Sequence, residues 1–464
     1  MMRAIAEADE QVEEVNPYLC FRKSAGRIRR ELRVDGRFYV EEVEGAPSGK
    51  RPSSPHIHDL FSDTYYALQA DFFVSALGDR LLSALTEKTG ALHFIDLFCG
   101  GGGLSLGVHR AAEFLGLKAR LLCAVDIDEV ALRLVKRVFS PLITRCRSVE
   151  DLMRYDVDRS GALDDFISAP TMLDAQIAQF KGKVDLLTAG PPCQGHSNLN
   201  NKTRGFDNRN LLYFTVPAFA VALDIPDIVI ENVRSIEVAE ENVVEITTRI
   251  LERHGYKVKK RVLNAADFGT AQSRHRHFLV ASKRREPNLE KACDLLKVNP
   301  LSFNDACRDM EPLSPELSML EESGELSPEN KERIDYLHDH DVDNLPNSNR
   351  PECHRVEHSY PAVYGRIRGE SPMTTITTGF SSPGRGRFVH PSERRTINIR
   401  EAGRVQGFPD GYWRAAIELN LKRAHYHKII GDAVPSFIAY PLLLSLFLTT
   451  YRRHRTVRGL SCPW

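Results

Sequence analysis

Between His93 and Ala281, short apolar runs of strand character alternate with longer segments of helical period. His93–Phe98 (HFIDLF), Leu121–Asp126 (LLCAVD), Val184–Thr188, Ile228–Ile230 and His277–Ala281 read as strands. Leu104–Leu115, Glu129–Phe139, Leu211–Leu223 and Val243–His254 read as helices. Strands this apolar need cover on both faces, and a parallel neighbour is reached only through a long crossover. The pattern predicts an α/β fold with a largely parallel sheet.

A chain of 464 residues has room for roughly two to four domains. The alternation starts near residue 91 and stops near Lys283. The expected division is therefore an N-terminal extension (1–90), an α/β unit (91–283), an irregular region (284–395) and a C-terminal segment (396–464) that returns to the α/β unit. The extension is locally basic at Arg22, Lys23, Arg27, Arg29, Arg30 and Arg33. This is read as a solvated surface, with a nucleic-acid or partner contact as the sharper alternative. Gly45–Pro55 reads as a linker and Asp59–Leu85 as helical.

Asp309–Asp343 holds twelve acids and two bases, and reads as a solvated or mobile insert. Tyr364–Arg400 holds seven arginines and two acids among Gly, Thr and Ser, as a phosphate-contacting surface does. Lys plus Arg and Asp plus Glu both total 62, which argues against a uniformly basic packaging protein. Nine cysteines without a CxxC pair disfavour a disulfide framework and fit a reducing, cytoplasmic compartment. Met1–Glu14 lacks the apolar core of a signal peptide. Phe437–Leu448 is shorter than the ~20 residues a bilayer span needs, so no membrane association is expected. His338, His340, Cys353, His354 and His358 lack zinc-ligand spacing, and no metal is expected.

Asp96–Gly107 (DLFCGGGGLSLG) is a strand that ends in a glycine cluster and opens a helix, which lets a ligand approach the backbone. GxGxxG is not met, which disfavours a dehydrogenase. Asp126, ending the next strand, is placed to accept hydrogen bonds from ribose hydroxyls or to cap a helix. Gly190–Ser197 (GPPCQGHS) follows another strand, and Pro191 and Pro192 restrict the backbone around Cys193. Thiolate is the nucleophilic form of cysteine, so a catalytic Cys193 requires a rigid, partly electropositive site. Glu231 ends the strand in PDIVIENV, where burial can raise its pKa until it donates to a ring nitrogen. Arg274 and Arg276 share one face of an extended QSRHRHFLV and can clamp a phosphate or a base carbonyl.

Taken in order, these blocks resemble the cytosine-5 DNA methyltransferases over about residues 91–450. The resemblance implies a Rossmann-like class I methyltransferase domain with a mostly parallel sheet, and a smaller irregular target-recognition domain. It implies S-adenosyl-L-methionine as cofactor, bound by Phe98, Gly100, Gly101, Gly102, Asp126, Pro191, Asp432 and Ala433. Cys193 in PPCQ matches the nucleophile, Glu231 in ENV the base-contacting acid, and Gln272, Arg274 and Arg276 the QxRxR block. Arg274 is expected to support the base carbonyl or the nucleophile loop. Arg400–Pro409 and Gly431–Pro435 (GDAVP) resemble the blocks that follow target recognition. Ser197, Arg366, Arg368, Arg385 and Arg387 are the candidates for DNA contact.

The implied reaction flips a cytosine out of double-stranded DNA and joins Cys193 to C6, so that C5 becomes nucleophilic. The implied setting is a restriction–modification system or an orphan methylase. The protein would act as a monomer on DNA in the cytoplasm, associated with the nucleoid if bacterial, with any cognate endonuclease acting separately. An RNA cytosine-5 methyltransferase and a non-catalytic DNA-binding regulator are the alternatives. The chain departs from the family at Asp432, where Asn is usual, and at His196, where an apolar or aromatic residue is usual. No clear adenine-contacting acid appears near Arg147–Asp151; Glu150 and Asp151 are the candidates.

Overall fold

The computed structural model describes residues 91–447, apart from 116, 161–162, 164, 193–207, 239–240, 309, 311 and 356–361, and the backbone of four strands between residues 11 and 44. The linker, the helix read over 59–85, and Cys193, His196 and Ser197 lie outside the described residues.

The N-terminal strands β1 (Gln11–Asn16), β2 (Leu19–Ser24), β3 (Arg27–Val34) and β4 (Arg37–Glu44) pair antiparallel in sequence order. The sequence reading left this sheet out. The central sheet comes from β5 (Ala91–Leu97), β6 (Lys118–Asp126), β7 (Ile143–Cys146), β10 (Leu186–Ala189), β11 (Asp227–Val233), β12 (Lys257–Asn264) and β14 (His275–Ser282). Its order is β12-β14-β11-β10-β5-β6-β7. The pairs from β11 to β7 are parallel, while β14 runs antiparallel to both β11 and β12. Strands β8 (Met153–Val157) and β9 (Phe166–Met172) form a separate antiparallel pair, and β13 (Gln272–Ser273) pairs with β15 (Met373–Thr374).

Successive residues on β5 point to opposite faces, so Phe94 enters one core and Ile95 the other. On the Phe94 side lie α1 (Gly103–Phe114), α6 (Leu289–Leu296) and the apolar α12 (Ala439–Phe447), whose leucines are buried in this core. On the Ile95 side lie α4 (Thr215–Leu223) and α5 (Val243–Arg253). Burying each Leu, Ile or Phe stabilises the fold by roughly 1.5–3 kcal/mol. A third core joins α9 (Ile399–Gln406), α10 (Trp413–Glu418) and α11 (Arg423–Asp432) to Phe303, Ile376, Phe380 and Phe388. It also takes in Leu106 of α1 and Ala131 and Leu134 of α2 (Glu129–Phe139). The C-terminal segment therefore packs directly on the helices that follow β5 and β6.

The acidic stretch 309–343 is not a mobile insert among its described residues. It contains α8 (Pro328–Asp339), which buries Ile334 and Leu337 against Val363, Tyr364 and Val389. Arg394 pairs with Asp335 and Asp339 of this helix. Arg366, Arg368 and Arg400 likewise meet Asp341, Asp343 and Glu321, so four of the seven arginines are paired with the acidic stretch, which still keeps an excess of negative charge.

Candidate active site

Strand β5 has β6 on one side and β10 on the other, and the carboxyl ends of such strands border a crevice. At the end of β5 the chain turns sharply. Phe98 takes φ 56°, Gly100 takes φ 48° and Gly102 takes φ 80°, and the Gly102 amide donates to the Cys99 carbonyl at 2.8 Å. Asp126, ending β6, accepts from the Gly100 amide on Oδ2 (2.7 Å) and from the Asp128 amide on Oδ1 (2.8 Å). A carboxylate offers about four lone-pair sites, so each oxygen keeps acceptor capacity. Burial raises the Asp126 pKa, and the two amides oppose that rise. Asp128 is the N-cap of α2 and accepts from Val130 and Ala131. Between the two acids Ile127 is 75% exposed. Beneath the turn, buried Asp96 accepts from Ser105 (2.5 Å) and Thr188 (2.9 Å), and burial lifts its pKa to about 7.

The second group lies at the ends of β10 and β11. The Gly190 amide donates to the Leu97 carbonyl (3.2 Å), which ties this loop to β5. A Cβ at Gly190 would lie 3.5 Å from Glu231 Oε2 and 3.9 Å from the Phe98 carbonyl, so three strand ends converge here. Buried Pro191 accepts from Asn232 Nδ2 (3.1 Å), which fixes the backbone two residues before Cys193. Glu231 is buried, and Arg276 Nε lies 3.1 Å from its Oε1. Burial raises the Glu231 pKa, while Arg276 and then Arg274 restrain the rise.

Arg274 does not share this position. The extended segment is interrupted between β13 and β14, and there Arg274 turns to donate to the carbonyls of Ile376 (3.0 Å) and Gly431 (3.3 Å). Burial lowers its pKa to about 9. Gln272, fully buried, accepts from the Ile376 amide (2.8 Å) and donates to Gln406. Gln406 in turn donates to the Ala433 carbonyl (2.6 Å). Arg274 and Gln272 thus lock together residues far apart in sequence, and Arg276 is the arginine beside the buried carboxyl. Asp432 ends α11 about half exposed, 3.2 Å from Lys428.

The arginines of the irregular region are unequally free. Arg366 pairs with Asp341 (2.6 Å), and Arg387 donates to the carbonyls of Asp343 and Arg366. Arg368 pairs through Nε with Asp343 (2.7 Å) but remains 65% exposed. Arg385 is exposed. Glu150 and Asp151 lie exposed in a turn that follows β7. His390, Glu393 and Glu401 come together as a metal site would, but Arg395 already bridges both carboxylates.

The model of the C-5 cytosine-specific DNA methylase family matches residues 92–446. The chain belongs to this family. The type II methyltransferase M1.BsuMI of Bacillus subtilis (strain 168) is 36% identical over 444 residues, spanning 95% of this chain and 96% of the relative. The type II methyltransferase M.XorII of Xanthomonas oryzae pv. oryzae is 25% identical over 391 residues, spanning 74% and 82% of the two chains. The fold is that of a methyltransferase from an E. coli prophage (TM-score 0.51, 20% identity, 77% of this chain and 98% of that one). S. pombe Dnmt2 has it too (TM-score 0.50, 16% identity, the same coverage).

For this C-5 cytosine-specific methylase, sequence reasoning passed over Ile127, Asn232, Gln406 and Lys428. Ile127 carried a readable signal, an apolar side chain between two acids at a strand–helix junction. Asn232 stood in the quoted ENV block, but its contact with Pro191 requires β10 and β11 to be neighbours.

Proposed function

We propose that the chain methylates C5 of a cytosine flipped out of double-stranded DNA, with S-adenosylmethionine as methyl donor and Cys193 as nucleophile. The observation that carries this reading is the buried Glu231–Arg276 pair beside the strand-end loop that leads to Cys193.

The crevice fits the cofactor. Asp126 has lone pairs left for two ribose hydroxyls, and exposed Ile127 with half-buried Phe98 offers apolar surface for a purine. Gly100, open where a Cβ would stand, would allow close approach, Gly101 and Gly102 make room instead for Ile429 and Tyr412, and Pro191, Asp432 and Ala433 would complete the site. Bound there, S-adenosylmethionine would supply an electrophilic methyl group to C5, its sulfonium sulfur leaving as a neutral thioether.

The remaining chemistry belongs to the side chains. The Cys193 thiolate adds to C6, and the ring electrons shift toward C5. Glu231, its pKa raised by burial, hydrogen-bonds N3 and the exocyclic amine. Arg276 holds that carboxyl and faces the base carbonyl; Arg274 and Gln272 act one step back, on the backbone around residues 376 and 431. Loss of the C5 proton and of the thiol completes the turnover. Residues 284–395 read the target, with Arg368 and Arg385 as the available DNA contacts and Arg366 and Arg387 buttressing them. Ser197, four positions after Cys193, is a further candidate for DNA contact. The protein acts as a monomer in the cytoplasm of a bacterial host, in a restriction–modification or orphan role, with any cognate endonuclease separate.

Incubation with tritiated S-adenosylmethionine and mixed duplex DNA tests the reading. Label in 5-methylcytosine is expected; label in tRNA alone, or in no nucleic acid, contradicts it.

A further inference from the structure

The family's usual Asn is replaced here by Asp432, the last residue of α11. A carboxylate at a helix C-terminus faces the negative end of the helix dipole, which is unfavourable. Lys428, one turn earlier, offsets this: its Nζ lies 3.2 Å from Asp432 Oδ2. The same Nζ lies 3.0 Å from Asp128 Oδ2. Asp128 is the residue whose Oδ1 caps α2 and whose amide holds Asp126. A second cation, buried Arg274, donates to the Gly431 carbonyl beside Asp432.

We propose that Lys428 is a positioning residue that clamps the closing block onto the strand–helix turn of Asp126, and that Asp432 is its second anchor. The proposal rests on the cofactor reading above. One ammonium between two carboxylates joins segments three hundred residues apart at the mouth of the crevice. Without it, Asp128 and Asp432 would face each other as uncompensated like charges, and the turn that presents Asp126 and Ile127 would lose its cover. The Asn-to-Asp departure is thus matched by a cation already in place.

Calorimetric titration of S-adenosylmethionine into the full-length protein tests this. K428A is expected to weaken cofactor binding by about tenfold, and K428R to restore most of it. The KM for the cofactor is expected to rise in K428A while the KM for DNA holds, a split that general loss of structure would not produce. Adding D432N to K428A is expected to recover about threefold of the lost affinity, because the unpaired carboxylate is removed. Lys428 is 57% exposed, so these variants should fold; K428Q, which keeps the apolar stem, stands in if K428A does not. Unchanged affinity in both K428A and K428Q overturns the clamp, as does further loss on adding D432N. A wild-type protein that binds no cofactor overturns the cofactor reading first, and the clamp with it.

Discussion

Arg276 Nε lies 3.1 Å from Glu231 Oε1, and both side chains are nearly removed from solvent. The two sit on neighbouring antiparallel strands, where register places Arg276 opposite Val233, two residues beyond Glu231 and on its face. Burial drives the carboxyl toward its neutral form, and the guanidinium pulls it back. General acid–base contributions are typically 10²–10⁴-fold, so E231Q should lose at least about 100-fold in kcat with an unchanged melting temperature. R276M should move the Glu231 pKa further upward. The limb of the pH–rate profile due to this group then shifts to higher pH; a downward shift would show that Arg276 does not act on Glu231.

Asp96 makes a separate, sign-defined prediction. Its pKa is raised to about 7 by burial, so the folded state favours the neutral acid. The stability this gives is complete below the ordinary carboxyl pKa and is lost as pH rises toward about 7. The stability of D96N relative to the unmodified protein should therefore increase between about pH 4 and 7. Chemical denaturation across that window measures it, and a flat difference would mean Asp96 is ionised in the fold throughout.

Asn232 fixes Pro191 from inside the protein. In N232A the Pro191 carbonyl loses that partner at a cost of about 1–3 kcal/mol. The larger effect is expected in turnover, roughly tenfold in kcat with little change in cofactor affinity. Single-turnover kinetics separates the two.

Gly103 opens α1 against the closing block, and a Cβ there would lie 2.5 Å from the Val434 carbonyl oxygen. Backbone cannot yield as a flexible side chain can. G103A should therefore lower the melting temperature and weaken cofactor binding together. A fully stable G103A that binds cofactor normally would show that α1 and the closing block are not pressed together.

Arg366 and Arg368 differ by two positions but should respond differently. Arg366 is mostly buried against Asp341, whereas Arg368 is largely exposed. R368A should weaken DNA binding and reduce the salt slope by about one if the contact is to phosphate. R366A should mainly lower stability. Fluorescence anisotropy over a salt series, with thermal melts, distinguishes them.

Much of the α/β unit was legible because its signals are local. The helix read at Glu129–Phe139 is found at those residues, since Asp128 caps one end and Ser140 adopts a left-handed conformation at the other. Asp126 was legible as a strand-end acid, whereas Glu231, read as ending its strand, lies two residues inside β11. What failed was non-local. Asp341 is solvated as read, but its pairing with Arg366, and that of Asp343 with Arg368, exists only once the chain brings these segments together. Arg274 and Arg276 share a parity, but the break before β14 sends them to different partners. The N-terminal sheet was missed although Asp35 and Gly36 join β3 and β4, a strong hairpin signal. Charges scattered at both parities hid the alternation.

In the proposed reaction Cys193 bonds transiently to C6 of the target base. A duplex library carrying 5-fluorocytosine, incubated with the protein and S-adenosylmethionine, should leave a covalent protein–DNA adduct that resists denaturation and maps to Cys193 by mass spectrometry. C193S should form none. Methylation of ordinary duplex DNA without any adduct, or an adduct at another residue, would contradict the account.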